Sequence, residues 1–163
     1  MLFRSVGDRV VIQRAGDVIP QVVENLTRDA VRAAFAGSGV LGFEAASRGA
    51  DYVVLVEQSR QVFKTLKKNA DVFACPRLHL VCRDALEFAP PTGKRFDLVF
   101  LDPPYGQGWL PRIAPRLAEL AAPEARLYVE AEAPLTQLGR WSVAKQGRAG
   151  QVFFHLLEPI RHE

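Results

Sequence analysis

The sequence predicts a doubly wound α/β fold with a mostly parallel sheet, and three observations lead there. From residue 36 onward, apolar runs alternate with segments of helical spacing. The runs at 52–57, 78–82 and 96–102 are apolar at consecutive positions rather than at every second one, the pattern of strands covered on both faces. The residues with distinctive chemistry then fall just after these runs, and open α/β sheets bind ligands beyond the C-terminal ends of their strands. At 163 residues the chain is expected to form a single domain, 1–163, with a hairpin extension at 1–21.

The elements follow in order. Arg9-Val10-Val11-Ile12 reads as a strand, Ala15-Gly16-Asp17 as a turn and Val18-Ile19-Pro20 as the return, which together make a hairpin. Val22, Val23, Leu26, Ala30, Val31 and Ala34 recur at helical spacing and predict a helix over 22–35. A glycine-rich turn and helix at 36–48 lead to strand 52–57, "YVVLVE". The next helix places Val62, Phe63, Leu66, Ala70 and Phe73 on one side. Strand 78–82, a helical turn near 85–89, strand 96–102, a helix over about 109–122 and strand 126–132 complete the alternation. Two further strands are expected at 141–145 and 151–157.

Composition bounds the function. The chain is 48% apolar and 24% charged, the balance of a soluble globular protein. No apolar run approaches the ~18 residues that span a bilayer, and "MLFRSVGDRVV" has neither an apolar core nor a cleavage site for secretion, so a cytoplasmic protein is expected. Cys75 and Cys82 have no second pair, which argues against a disulfide framework or a zinc site. His79, His155 and His162 lack ligand spacing, so no metal is expected. A net charge of +3 is compatible with a polyanionic partner without requiring one.

Three strand ends and one loop carry the chemistry. In "FAGSGVLGFEAASRGA", residues 35–50, Gly37 and Gly39 permit a tight turn into a helix and close approach to a ligand, although a G-x-G pair alone is weak evidence. Glu57 ends the next strand, 18 residues after Gly39, where an acid can accept from both hydroxyls of a ribose. The alternative is a solvated charge at a helix start. Asp84, followed by Ala85, could meet an adenine amino group or simply cap a turn. The fourth feature is "LVFLDPPYGQ", residues 98–107. Two successive prolines stiffen the loop and give up their N–H groups, so its carbonyls are left to accept hydrogen bonds, framed by Asp102 and Tyr105. The spacing Gly37-Gly39-Gly42 also fits a dinucleotide site. A hydride-transfer enzyme, however, has no use for a rigid acceptor loop, whereas an enzyme that methylates an exocyclic amine does.

These motifs resemble those of the RsmD family, the 16S ribosomal RNA guanine-N2 methyltransferases, over about residues 27–132. "FAGSGVLGFEAASRGA" is similar to that family's glycine motif almost letter for letter. "FLDPPYG" is similar to its catalytic loop, a motif shared with many amino-methyltransferases. "TRDAVRAAF", "LYVEAE" and "GQVFFHLL" resemble further segments. The resemblance implies a Rossmann-like class I methyltransferase fold, S-adenosyl-L-methionine as cofactor, and 16S rRNA or the small ribosomal subunit as partner, with no membrane and a monomeric state. It marks Phe35, Ala36, Gly37, Ser38, Gly39, Glu57, Asp84, Ala85 and Asp102 for cofactor binding, and Asp102, Pro103, Pro104 and Tyr105 for catalysis. In that reading Asp102 and the Pro103 carbonyl accept from the amine, and Tyr105 stacks on the base. Lys64, Lys67 and Lys68 are expected on a solvated helix face, and Trp109 and Trp141 in packing.

Two departures qualify the resemblance. Arg32-Ala33-Ala34-Phe35 joins the helix directly to the glycine motif, so the first strand of the sheet is expected to be missing or shortened. The opening 26 residues also lack the family's Arg/Gly-rich start, so the likeness speaks to cofactor binding more than to RNA docking. The sequence leaves open methylation of adenine N6 or of a protein glutamine. It also leaves open a non-catalytic remnant.

Overall fold

A computed structural model describes residues 4–5, 10–11, 30–34, 36–37, 39–91 and 94–161. Its centre is a mostly parallel sheet. The strands that build it are β3 (Ala30–Ala34), β4 (Tyr52–Glu57), β5 (Leu78–Cys82), β6 (Phe96–Leu101), β7 (Ala121–Ala131), β8 (Gln137–Leu138), β9 (Trp141–Ala149) and β10 (Val152–Pro159). They lie in the order β5-β4-β3-β6-β7-β10-β9-β8, parallel from β5 to β7 and antiparallel beyond. A separate two-stranded pair joins β1 (Arg4–Ser5) to β2 (Val10–Val11). A strand at Val10-Val11 is thus present, but its partner precedes it. The expected return at 18–20 lies outside the described residues.

The sheet is covered on both faces because successive side chains point opposite ways. Along β4, Val53 and Leu55 join the apolar cluster beneath α1 (Val40–Ser47) and α2 (Arg60–Phe73), with Phe43 and Leu66. Val54 and Val56 join the cluster on the other face, where α3 (Trp109–Leu120) contributes Ile113, Leu117 and Leu120. Along β6, Leu98 and Phe100 go one way, Val99 and Leu101 the other. Continuous apolar runs are therefore what both layers require.

The central strand departs from the expectation. Residues 30–34, assigned to a helix by their spacing, form β3, while residues 22–29 and 35 of that helix lie outside the described residues. The first strand is thus present but short, with five residues against six in each neighbour. It runs parallel to β4 from Ala30↔Tyr52 to Ala34↔Val56, and to β6 from Val31↔Leu98 to Ala34↔Leu101. Magnitudes explain why the strand wins. Helix preference differs among ordinary residues by no more than about 0.7 kcal/mol each. A gap between β4 and β6 would strand two rows of buried N–H and C=O groups, at about 1–3 kcal/mol per group. Ala33 and Ala34, both buried, are small enough to sit mid-sheet with helices on either side.

Topology then places the site. After β3 the chain builds β4 and β5 on one side, then returns to build β6 and β7 on the other. Connections leaving β3 and β6 diverge, and a crevice opens at their C-terminal ends.

Candidate active site

The crevice is a cleft of about 690 Å³, within the usual range for small-molecule sites. Its lining comes from four strand tips and one hairpin: Gly37 after β3, Glu57 to Ser59 after β4, Asp102 to Tyr105 after β6, Glu130 on β7, and Ala149, Val152 and Phe154 from β9 and β10. Val62, on the first turn of α2, adds an exposed apolar surface.

The three glycines of the G-x-G-x-x-G motif divide the work. Gly37, at φ +55°, would carry a Cβ into open space, so its backbone faces the cleft directly. Gly39, at φ +89°, starts α1 in a left-handed conformation that glycine adopts freely. A Cβ there would fall 2.5 Å from Leu66 Cδ1, so Gly39 is buried in packing and does not line the cleft. Gly42 lets α1 lie close on β4: its Cβ would fall 2.0 Å from Leu55 Cδ2. Ala36 extends the β3 ladder by donating its N–H to the Val56 carbonyl at 2.9 Å. Phe35 and Ser38 lie outside the described residues.

Glu57 holds this loop in place. Its Oε2 accepts from the Gly37 N–H at 3.1 Å, and its Oε1 accepts from the Ser59 N–H at 2.8 Å. A carboxylate has about four acceptor sites, so capacity remains for two hydroxyls of a ribose. An exposed loop backbone, an acid able to take two further donors and an apolar patch at Val62 fit the methionine, ribose and adenine parts of S-adenosylmethionine.

Asp84 caps the turn that follows β5. Its Oδ1 accepts from the Leu86 N–H at 2.8 Å, and its carbonyl accepts from Glu87 and Phe88. Ala85 is buried in the core, and neither residue lines the cleft.

The acceptor loop stands opposite Gly37 and Glu57. Asp102 is half-buried, Pro103 buried and Pro104 exposed, while Tyr105 keeps 46% of its surface in solvent. The loop is tied to the tip of β7, where the Gly106 N–H donates to the Glu132 carboxylate. Sequence reasoning missed the role of this tip. Glu130 is buried, lines the cleft and accepts from the Tyr128 hydroxyl at 3.2 Å. Burial, and then the Glu130 charge, push the Tyr128 ionisation far upward, so that hydroxyl stays a donor. The signal was present in "LYVEAE", where an acid ends a run too apolar to sit at a surface. A second cavity of about 240 Å³ lies behind the loop, lined by Trp109, Leu135, Glu130 and Glu132 among others.

The two tryptophans and the lysines of α2 lie where expected. Trp109 and Trp141 are buried, with indole N–H groups donating to Gln107 Oε1 and the Ala125 carbonyl. Lys64, Lys67 and Lys68 are exposed, and Lys67 pairs with Asp71. Among the described residues no cluster of His, Cys, Asp or Glu is grouped to hold a metal, and no helix is long and apolar enough to cross a membrane.

The model of the family described as Conserved hypothetical protein 95 matches residues 16–158. The chain belongs to this family. Ribosomal RNA small subunit methyltransferase D of Haemophilus influenzae is 33% identical over 163 residues, 95% of this chain and 82% of that protein. The Escherichia coli K12 protein of the same name is 36% identical over 129 residues, 76% of this chain and 65% of that protein. The solved structure of yhhF from Escherichia coli superposes with a TM-score of 0.77 at 32% identity, covering 87% of this chain and 81% of that one. A shorter match of another kind reaches 81% identity over 26 residues with the DNA ligase of Sphingopyxis alaskensis, 16% of this chain and 4% of that protein. The fold shared with the family's solved structures is the Rossmann-like fold of class I methyltransferases.

Proposed function

We propose that this protein is an S-adenosylmethionine-dependent methyltransferase that modifies the exocyclic N2 of a guanine in small-subunit (16S) ribosomal RNA. One observation carries the reading: the Asp102-Pro103-Pro104-Tyr105 loop faces the same cleft as Gly37 and Glu57. A cofactor site and an amine-accepting loop thereby share one space.

Gly37, Glu57 and Val62 would hold the cofactor, which when bound supplies an electrophilic methyl on a sulfonium. The protein's task is to aim a poor nucleophile, since the lone pair of a guanine amino group is delocalised into the ring. Asp102 and the Pro103 carbonyl accept from the amino hydrogens, which fixes the nitrogen and raises its electron density. The rigidity of two prolines makes that geometry ready before substrate arrives. The exposed ring of Tyr105 offers a stacking face for a base that has left the RNA stack. Asp102 can receive the departing proton once transfer is complete.

The test is transfer of labelled methyl groups to unmodified small-subunit RNA and to small subunits, followed by digestion to nucleosides. Label in N2-methylguanosine is the expected result. Label in N6-methyladenosine, or in protein glutamine, would replace the substrate assignment. No transfer despite cofactor binding would leave a binding domain in place of an enzyme.

A further inference from the structure

Glu130 is unusual for its position. Glutamate is among the side chains least often found buried, and burying a carboxylate is unfavourable unless partners compensate for lost water. Glu130 keeps only 9% of its surface exposed, yet it borders both the main cleft and the cavity behind the acceptor loop. The sheet sets its place. β6 and β7 pair in parallel through Phe100↔Tyr128 and Leu101↔Val129, so the next step of that register brings Asp102 and Glu130 to neighbouring strand tips. By alternation both continue the face that carries Phe100 and Tyr128.

We propose that Glu130 is a specificity-determining residue that accepts a hydrogen bond from N1–H of the target guanine, while Asp102 engages the adjacent amino group. The inference rests on the guanine reading above and deepens it. Guanine presents two neighbouring donors on its Watson–Crick edge, N1–H and the N2 amino group. Two neighbouring carboxylates are the complementary acceptors. Adenine presents an unprotonated N1 beside its amino group, so Glu130 would set a lone pair against a lone pair. The loop that accepts an amine would not by itself separate these bases; the second acid does, by repulsion as well as attraction. Tyr128 fixes the arrangement. Its hydroxyl donates to Oε1 at 3.2 Å and so orients the carboxylate toward the cleft. Two acids at this point also make the pocket suited to a base edge and hostile to a phosphate, which keeps the RNA backbone outside.

The decisive variant is Glu130→Gln, which keeps the shape and replaces one acceptor by a donor. Methyl transfer to unmodified small-subunit RNA should fall about 10- to 100-fold in kcat/KM, the range expected when one specific base contact is lost. The fraction of label in N6-methyladenosine should rise relative to N2-methylguanosine. Affinity for S-adenosylhomocysteine should stay within about twofold, because the cofactor residues are elsewhere in the cleft. Glu130→Asp should restore guanine selectivity in part. Tyr128→Phe removes only the orienting hydroxyl and should lower guanine transfer about 3- to 10-fold, the loss of one modest hydrogen bond; this variant decides the matter if Glu130→Gln does not fold. Wild-type label in N2-methylguanosine with unimpaired, unaltered transfer by Glu130→Gln overturns the inference alone, as would unimpaired Tyr128→Phe where the first variant fails to fold. Wild-type label in any other product overturns the guanine reading, and this inference with it.

Discussion

The backbone N–H of Gly37 and the carboxylate of Glu57 meet at 3.1 Å across two neighbouring strand tips, twenty residues apart in the chain. The same carboxylate takes the Ser59 N–H at 2.8 Å. Glu57 therefore fixes the glycine turn against β4 before any ligand is present. In the proposed function the same acid also offers acceptors to a ribose, so structure and binding would share two oxygens.

Glu57→Ala should weaken S-adenosylmethionine binding about 10- to 100-fold, the equivalent of losing charged hydrogen bonds of about 1.5–3 kcal/mol. Glu57→Gln keeps one acceptor oxygen and should fall between. Calorimetric titration of the three proteins measures this directly. Equal affinities would remove Glu57 from the ligand's surroundings and leave it only the Gly37 and Ser59 contacts.

Asp102→Ala should separate chemistry from binding. Turnover should drop by about 10²–10³, as when one preorganised polar group of a transition-state site is deleted. S-adenosylhomocysteine affinity should change little, because the role proposed for the carboxylate is toward the acceptor amine. Asp102→Asn should keep part of the rate, and Tyr105→Phe should be milder than Tyr105→Ala. Normal turnover by Asp102→Ala would reduce the loop to a stiff turn.

Gly42→Ala tests the packing beneath the motif. The added Cβ would lie 2.0 Å from Leu55 Cδ2, in a core where Leu55 is fully buried. Overpacking of this kind costs about 1–3 kcal/mol, and a protein of this size loses about 2–4 °C of thermal midpoint per kcal/mol. Scanning calorimetry should show that drop. An unchanged midpoint would mean that α1 shifts away from the sheet freely.

Stability should also depend on His155. The ring is buried; its Nε2 accepts from the Leu135 N–H at 3.0 Å, and its Nδ1 lies 3.2 Å from the Val129 carbonyl. The Leu135 bond requires Nε2 without a proton, so the ring is neutral with Nδ1–H donating to Val129. Burial lowers the His155 pKa below its ordinary 6.5, against an opposing pull from that carbonyl. As the pH falls, the unfolded chain then takes up the proton first. The stabilisation is complete above the unfolded value, declines below about pH 6.5, and stops declining once the folded ring titrates too. Thermal midpoints between about pH 8 and 5.5 should show this decline in the wild type and less of it in His155→Gln. Identical profiles would place the pH dependence elsewhere.

Much of this architecture was legible because burial on both faces leaves an unmistakable run of apolar residues. Strand 52–57 coincides with its observed limits for that reason, and strand 78–82 does so at the edge of the sheet, where its side chains are half-buried or exposed. β3 was not legible, since Ala30, Val31, Ala33 and Ala34 suit a helix as well as a strand. What decided between them was the unpaired backbone of β4 and β6, far away in sequence. The site follows the same division. Asp102 and Tyr105 declared themselves through the prolines between them. Glu130 did not, because an acid at a strand end acquires meaning only when its register with β6 is known. Asp84 caps its own turn, one of the two roles that its position in the sequence allowed.

The five residues of β3 are also the seam of the molecule. On one side lie β4 and β5; on the other, β6 and the strands beyond it. Backbone bonds that join these halves across the centre run through this short strand. In hydrogen-exchange terms, the amides along the β3 borders should open together as one cooperative unit, separately from the antiparallel β7–β10 pairing. The cleft straddles that seam, with Gly37 and Glu57 on one bank and Asp102 on the other. A cofactor and an acceptor base bound together would touch both banks, so the two together should slow exchange at the seam more than S-adenosylhomocysteine alone. Joint occupancy of the cleft thus becomes a clasp across the short central strand.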